Sequence, residues 1–306
     1  MKVVFLGTPD FAVPALKAIS AHHEVVGVIT QPDRPRERGK VTPTAVKAAA
    51  EALGLPVFCY EKIREHVDEV RALAPDVMVT VAYGQILNAE VLSIAPKGVI
   101  NVHGSLLPKY RGSAPIQWAV INGDSETGVA VMRTELGVDT GDVILMKKTP
   151  IGENETAGEL FDRLAEIGAE AIVEALELIE RGEETYTPQN HAEATRCSML
   201  KKSDGAVDFD MPARAVHAKI RGVTPWPGAF AVHDGQTYKL SNPQLKEGKG
   251  RPGEILFADV KNGLVVACAE GAISFDVQKQ GGKRMPIADF LRGHQLAVGT
   301  LFVKEQ

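Results

Sequence analysis

The side chains best suited to chemistry in this chain are those that acyl transfer needs. Asn101 and His103 lie two apart in the apolar stretch 98–103, and Gly104 follows at once. A strand has a side-chain period of two, so both point to one face. The glycine permits a sharp turn, which leaves the imidazole at the strand's carboxyl end, where open α/β sheets bind ligands. An amide that can donate to an oxyanion, beside a titratable imidazole, makes half of an acyl-transfer site. Asp139 follows in Gly137-Val138-Asp139-Thr140-Gly141, with Asp142 next. Singly, each has a plain structural reading: a satisfied core histidine, and an aspartate in a glycine-bounded turn. Together they are the parts for stabilising and deprotonating a tetrahedral centre, with a carboxylate to hold the imidazole. No serine or cysteine sits in a nucleophile elbow, so the attacking group is expected on the substrate. No metal-ligand spacing of the zinc type occurs either.

Such residues need a sheet to position them. Residues 2–6 read as a buried strand, Gly7 as a turn, Thr8 as a helix N-cap and Pro9 as the first helical position. A helix over 10–21 and a strand over 24–30 complete a β-turn-α-β opening. That opening predicts an α/β fold with a doubly wound, mostly parallel sheet. The later glycines of the dinucleotide fingerprint are missing after Gly7, so NAD is not expected. Strand 76–82 is apolar almost throughout, as a strand covered on both faces should be. Segments 127–134 and 143–149 read as an antiparallel hairpin at the sheet edge. Helix 156–181 shows an apolar stripe of Leu160, Leu164, Ile167, Ala171, Leu176 and Ile179. In 31–43, three prolines and a glycine argue against regular structure. Its Arg34, Arg36, Arg38 and Lys40 suit either a solvated loop or a flexible arm for a polyanion.

Residues 183–204 lack periodicity. The expected division is a catalytic domain over 1–188, a linker over 189–204 and a small β-barrel over 205–306. The barrel follows from short alternating segments at 229–233, 236–242, 252–258, 262–267 and 271–277, separated by glycine- and asparagine-rich turns. Pro225-Trp226-Pro227-Gly228 reads as a rigid packed corner.

The totals bound the partners. The chain has 306 residues, 44% hydrophobic and 24% charged, with a net charge of −5. No apolar run reaches the ~18 residues of a membrane helix, and the first apolar run is too short for a signal peptide. The expectation is a cytoplasmic monomer with no membrane partner. Cys59, Cys197 and Cys268 have no flanking motif and read as buried bystanders. Charge is uneven: residues 196–306 carry a net +5 and residues 1–195 a net −10. A basic face on an acidic protein can meet phosphate; the other reading is chance imbalance on a solvated surface.

Asn101-Val102-His103, then Ser105-Leu106-Leu107-Pro108 running on to Pro115, then Asp139, together resemble the folate-dependent formyltransferases. Residues 7–12, 30–40 and 224–229 resemble further motifs of that family, so the likeness covers nearly the whole chain. It implies a formyltransferase-type, Rossmann-like sheet followed by an OB-like barrel. It implies 10-formyltetrahydrofolate as formyl donor, no metal, and the α-amine of methionine esterified to initiator tRNA as acceptor. Asn101, His103 and Asp139 match the family's catalytic trio. Ser105, Leu106, Leu107 and Pro108 would contact the folate, and Gln85, Ile86 and Leu87 would flank its pterin. Arg38 and Lys40 would reach the tRNA acceptor stem, and the barrel would lie along the tRNA backbone. The alternatives are a formyltransferase for glycinamide ribonucleotide or a nucleotide-sugar amine, a deformylase, and a nucleic-acid-binding protein without catalysis.

Overall fold

The computed structural model describes residues 1–36, 40–279 and 281–305. They group into two compact units, Met1–Gly112 with Thr127–Thr149 and Phe161–Cys197, and Ser113–Glu126 with Pro150–Leu160 and Ser198–Gln306.

Seven strands form the sheet of the first unit: β1 (Lys2–Gly7), β2 (Glu24–Thr30), β3 (Val57–Cys59), β4 (Val77–Val81), β5 (Val99–His103), β6 (Glu126–Arg133) and β7 (Val143–Pro150). Their spatial order is β3-β2-β1-β4-β5-β6-β7. Pairings β1–β2, β1–β4, β2–β3 and β4–β5 are parallel, and β5–β6 is antiparallel. The chain starts in the middle, winds to one edge, then crosses back to β4. This is the doubly wound order, and its ligand crevice lies beyond the carboxyl ends of the strands at the switch between β1 and β4. All five residues of β4 are buried, which is why the run reads as continuously apolar. Val4, Leu6, Ile29, Met78 and Val99 share one core cluster. On the helix Ala157–Arg181, Leu164, Ala171, Leu176 and Ile179 are fully buried.

Three local expectations are corrected. Thr8 does not cap the first helix. A short 3-10 turn over Asp10–Ala12 precedes the helix Val13–His22, whose first turn is taken by Pro14. The Thr8 hydroxyl instead donates to Tyr83 O at 2.9 Å, tying the end of β1 to the turn after β4. The basic stretch is not wholly irregular either. Arg34–Arg36 and Lys40–Thr42 pair as an antiparallel ribbon, in which each strand keeps one open edge where a proline is tolerated. Its base is pinned by Lys47 and Asp33 at 2.5 Å. Cys197 and Cys268 are buried, but Cys59 is exposed, because it ends the three-residue strand β3 at the sheet edge.

The second unit contains β8 (Ala229–His233), β9 (Gln236–Lys246), β10 (Ile255–Asp259), β11 (Gly263–Ala267), β12 (Ala272–Lys279) and β13 (Phe302–Val303). Their order is β10-β11-β12-β9-β8-β13, antiparallel throughout. A bridge between Glu254 and Leu301 joins the two outer strands' ends, so the sheet curls into a barrel. Tyr238, Phe275, Phe290 and Phe302 fill it, together with Val216 and Ile220 of the helix Ala213–Gly222. At the Pro-Trp-Pro corner the main chain is anchored, Gly228 N donating to Val223 O at 2.8 Å. The ring is not packed, since Trp226 is 53% exposed.

Candidate active site

β5 lies between β4 and β6, with Asn101 opposite Thr80 on one side and Met132 on the other. Asn101 is half-buried and His103 is buried. The imidazole is fixed by the loop that follows its own strand. His103 Nε2 lies 2.9 Å from Tyr110 O. A carbonyl can only accept, so Nε2 carries a proton and Nδ1 is the nitrogen left to work. Nδ1 faces Asp139 Oδ2 at 3.7 Å. That is an ion-pair separation, too long for a hydrogen bond. The sequence reading had the carboxylate holding the ring; the Tyr110 carbonyl does so instead.

Asp139 is held by backbone. Gly112 N donates to its Oδ2 at 2.7 Å. Asp139 adopts φ +52° and Tyr110 φ +57°, a region that aspartate tolerates better than most residues. Gly112 itself has φ +124°, and a Cβ there would stand 2.1 Å from Cys197 O. The glycine therefore admits both the bond to Asp139 and the close approach of residue 197.

The loop after His103 divides into surface and support. Ser105 is fully buried and its hydroxyl donates to Lys109 O at 2.6 Å. Leu107 is buried in a cluster with Ala130, Met132 and Val143. Leu106 and Pro108 keep partial exposure. The turn after β4 divides in the same way. Gln85 accepts from Ile63 N and donates to Tyr60 O, both at 2.9 Å, so its amide braces the chain. Leu87 is buried, whereas Ile86 is 84% exposed. Burial, reinforced by a hydrogen bond to Glu69, pushes the Tyr60 phenol up to about 12, and burial moves Tyr83 up as well. Neither phenol is an acid or base at neutral pH. Arg38 lies outside the described residues, as does the side chain of Lys40.

Sequence reasoning missed the segment that frames this loop. Thr195 O accepts from Arg111 N at 2.9 Å, and Thr195 Oγ1 accepts from Tyr110 N at 2.8 Å. Arg196–Cys197 pairs in parallel with Arg111–Gly112, and Cys197 Sγ lies 3.4 Å from the same Tyr110 carbonyl that holds His103. Gln189 and Arg111 are buried and bonded to each other. Most of these contacts run through backbone groups, which leave no mark in the sequence.

Two family models match the chain. One, described as formyl transferase, covers residues 1–176; the other, the formyl transferase C-terminal domain, covers residues 199–295. The methionyl-tRNA formyltransferase of Geotalea daltonii is 47% identical over 305 residues, spanning 98% of this chain and 97% of that one. That of Citrifermentans bemidjiense is 44% identical over 310 residues, spanning 100% and 97%. Among solved structures, an N-formyltransferase from Helicobacter canadensis, in complex with folinic acid and dTDP-3-aminofucose, matches with a TM-score of 0.70. It is 19% identical over 92% of this chain and 100% of its own, a likeness of fold.

Proposed function

Because the chain belongs to the formyl transferase family, we propose that it transfers the formyl group of 10-formyltetrahydrofolate to the α-amine of methionine esterified to initiator tRNA. Relatives of nearly equal length, at 44% and 47% identity, bear the name of that activity. A folate-type donor is supported by the folinic acid in the Helicobacter canadensis complex. The observation that carries the reading is the facing pair His103 Nδ1 and Asp139 Oδ2, 3.7 Å apart at the end of the strand that also bears Asn101.

The chemistry follows from these groups. An ammonium has no lone pair, so the acceptor amine must be neutral when it attacks the formyl carbon. As the new C–N bond forms, the carbonyl electron pair moves to oxygen. The Asn101 amide donates to that oxygen, and losing one such donor typically costs about 2.7–4 kcal/mol of barrier. His103, protonated on Nδ1, adds positive charge beside it. The proton leaving the amine must reach the folate nitrogen when the old C–N bond breaks. Asp139 faces Nδ1 at 3.7 Å, and closing that gap by about an ångström brings the two within hydrogen-bond reach, so the pair forms the relay.

In this reading Leu106, Pro108 and Ile86 offer surface to the folate, while Ser105, Leu107, Gln85 and Leu87 hold the two loops in shape. Arg38 and Lys40 contact the tRNA acceptor stem. The C-terminal segment 196–306, with its excess of Lys and Arg, lies along phosphate. The enzyme acts in the cytoplasm as a monomer; among the described residues no helix is long and apolar enough to cross a membrane.

The test is direct. The protein is incubated with 10-formyltetrahydrofolate and methionyl initiator tRNA, and formylmethionine on the tRNA is expected. Formylation of glycinamide ribonucleotide or a nucleotide-sugar amine in its place overturns the acceptor. Formate release without an acceptor makes the protein a deformylase. Binding of the tRNA without transfer overturns the enzyme reading.

A further inference from the structure

The proposed reaction needs the Asp139 carboxylate beside His103, yet packing does not put it there. Asp139 sits at positive φ, and its neighbours Leu136 and Val138 are 69% and 56% exposed. We infer that Gln189 is the positioning residue that holds this turn against the catalytic loop, an inference that rests on the formyl-transfer reading above. Gln189 Nε2 donates to Asp139 O at 3.0 Å and to Gly141 O at 2.7 Å. Its Oε1 accepts from Arg111 Nε at 3.1 Å and Nη2 at 2.7 Å. Chemistry fixes the orientation of this amide. Reversed, its NH2 would face a guanidinium that can only donate, and its oxygen would face two carbonyls. Gln189 is 8% and Arg111 6% exposed, so water does not replace these bonds freely.

The connection matters because of what Arg111 adjoins. Tyr110 O holds the imidazole, and Gly112 N holds the carboxylate. Three consecutive residues therefore set the separation of His103 and Asp139, and Gln189 ties the middle one to the backbone of the Asp139 turn. Without its amide, the turn is free to leave the left-handed region and the carboxylate moves off. Neither substrate touches Gln189 in this account. Its loss therefore lowers kcat and leaves KM for both substrates nearly unchanged, since only the approach to the transition state is affected.

Two variants test this. Gln189→Glu keeps the volume and the acceptor for Arg111 but turns oxygen toward the two carbonyls; Gln189→Met keeps volume alone. Both are expected to lower kcat by about tenfold to a hundredfold, with each KM within about threefold of wild type. Wild type formylating in the same assay separates failure of this inference from failure of the reaction assignment. Circular dichroism checks the fold of each variant; if Gln189→Met does not fold, the kcat and KM of Gln189→Glu decide alone. Wild-type kcat in Gln189→Glu, or a loss carried by KM in either variant, overturns the inference.

Discussion

His103 and His217 are both buried, at 6% and 4% exposure, one in each unit, and their partners differ in kind. His217 lies on the helix Ala213–Gly222. Its Nδ1 accepts from Arg221 Nε at 3.2 Å, so that nitrogen is unprotonated. Its Nε2 then donates to Asn154 Oδ1 at 3.1 Å. Burial first, and the Arg221 charge second, push its pKa down to about 4. Both ring nitrogens are used, and the ring is locked neutral. His103 uses Nε2 on Tyr110 O and turns Nδ1 toward a carboxylate across 3.7 Å. Burial alone therefore does not mark a working histidine. An open ring nitrogen near a carboxylate does not mark one by itself either, since buried His233 has Nε2 on Thr300 Oγ1 and Nδ1 3.8 Å from Asp234 Oδ2; His103 adds to that its place at the carboxyl end of β5.

The comparison breaks most readily at its catalytic half. His103→Ala is expected to lower kcat for formyl transfer by about 10²–10⁴-fold, the usual worth of a positioned acid or base. Asp139→Asn keeps the bond from Gly112 N but loses the charge, and is expected to lower kcat by at least about tenfold. Steady-state kinetics on methionyl initiator tRNA measures both. A smaller loss in either variant means the ring and the carboxylate are structural, and His103 then resembles His217 after all.

Gly112→Ala sharpens the same contrast by acting on backbone. The added Cβ would meet Cys197 O at 2.1 Å, in a conformation that L side chains rarely adopt. The strand pair must separate, and Gly112 N moves away from Asp139 Oδ2. The expected result is a loss of about tenfold or more in kcat, together with a lower Tm, because strained backbone costs on the order of 1–3 kcal/mol. Wild-type kcat with a lowered Tm would show that the carboxylate keeps its place without that amide.

The same contrast explains what could be read from the sequence. The period of two placed Asn101 and His103 on one strand, and Gly104 marked its end, because both signals are local. The short strands between 229 and 279 were legible for the same reason. The two-residue strand Phe302–Val303 and the helix Ile287–Gly293 were not, being too short for a period to emerge. In the site, the group that fixes His103 is a main-chain carbonyl, which every residue possesses. Gln85 read as a ligand contact, but its amide is taken up by Tyr60 O and Ile63 N. An amide serves backbone as readily as substrate, and residue type alone does not separate the two. Gln189 stood in a stretch without periodicity, where the turn it holds begins some fifty residues earlier in the chain.

The structural half of the comparison gives the smallest effect, read in stability rather than rate. His217 has an ordinary pKa of 6.5 when unfolded and about 4 in the folded protein. Between those values the unfolded chain binds more protons than the folded one. Stability is therefore full above pH 6.5, falls as pH drops through that window, and levels off below about 4. The fall amounts to roughly 3 kcal/mol. Glutamine can accept from Arg221 and donate to Asn154 without titrating. His217→Gln is thus expected to change stability at pH 7.5 by no more than about 1 kcal/mol, while flattening the loss between pH 6.5 and 4.5. Urea unfolding at both pH values measures this, and formylation per folded molecule should match wild type. If the pH slope survives in His217→Gln, another group carries it, and the ring is not locked neutral by Arg221. If formylation falls instead, His217 also serves the reaction, and a closed partner set is not what separates structure from catalysis.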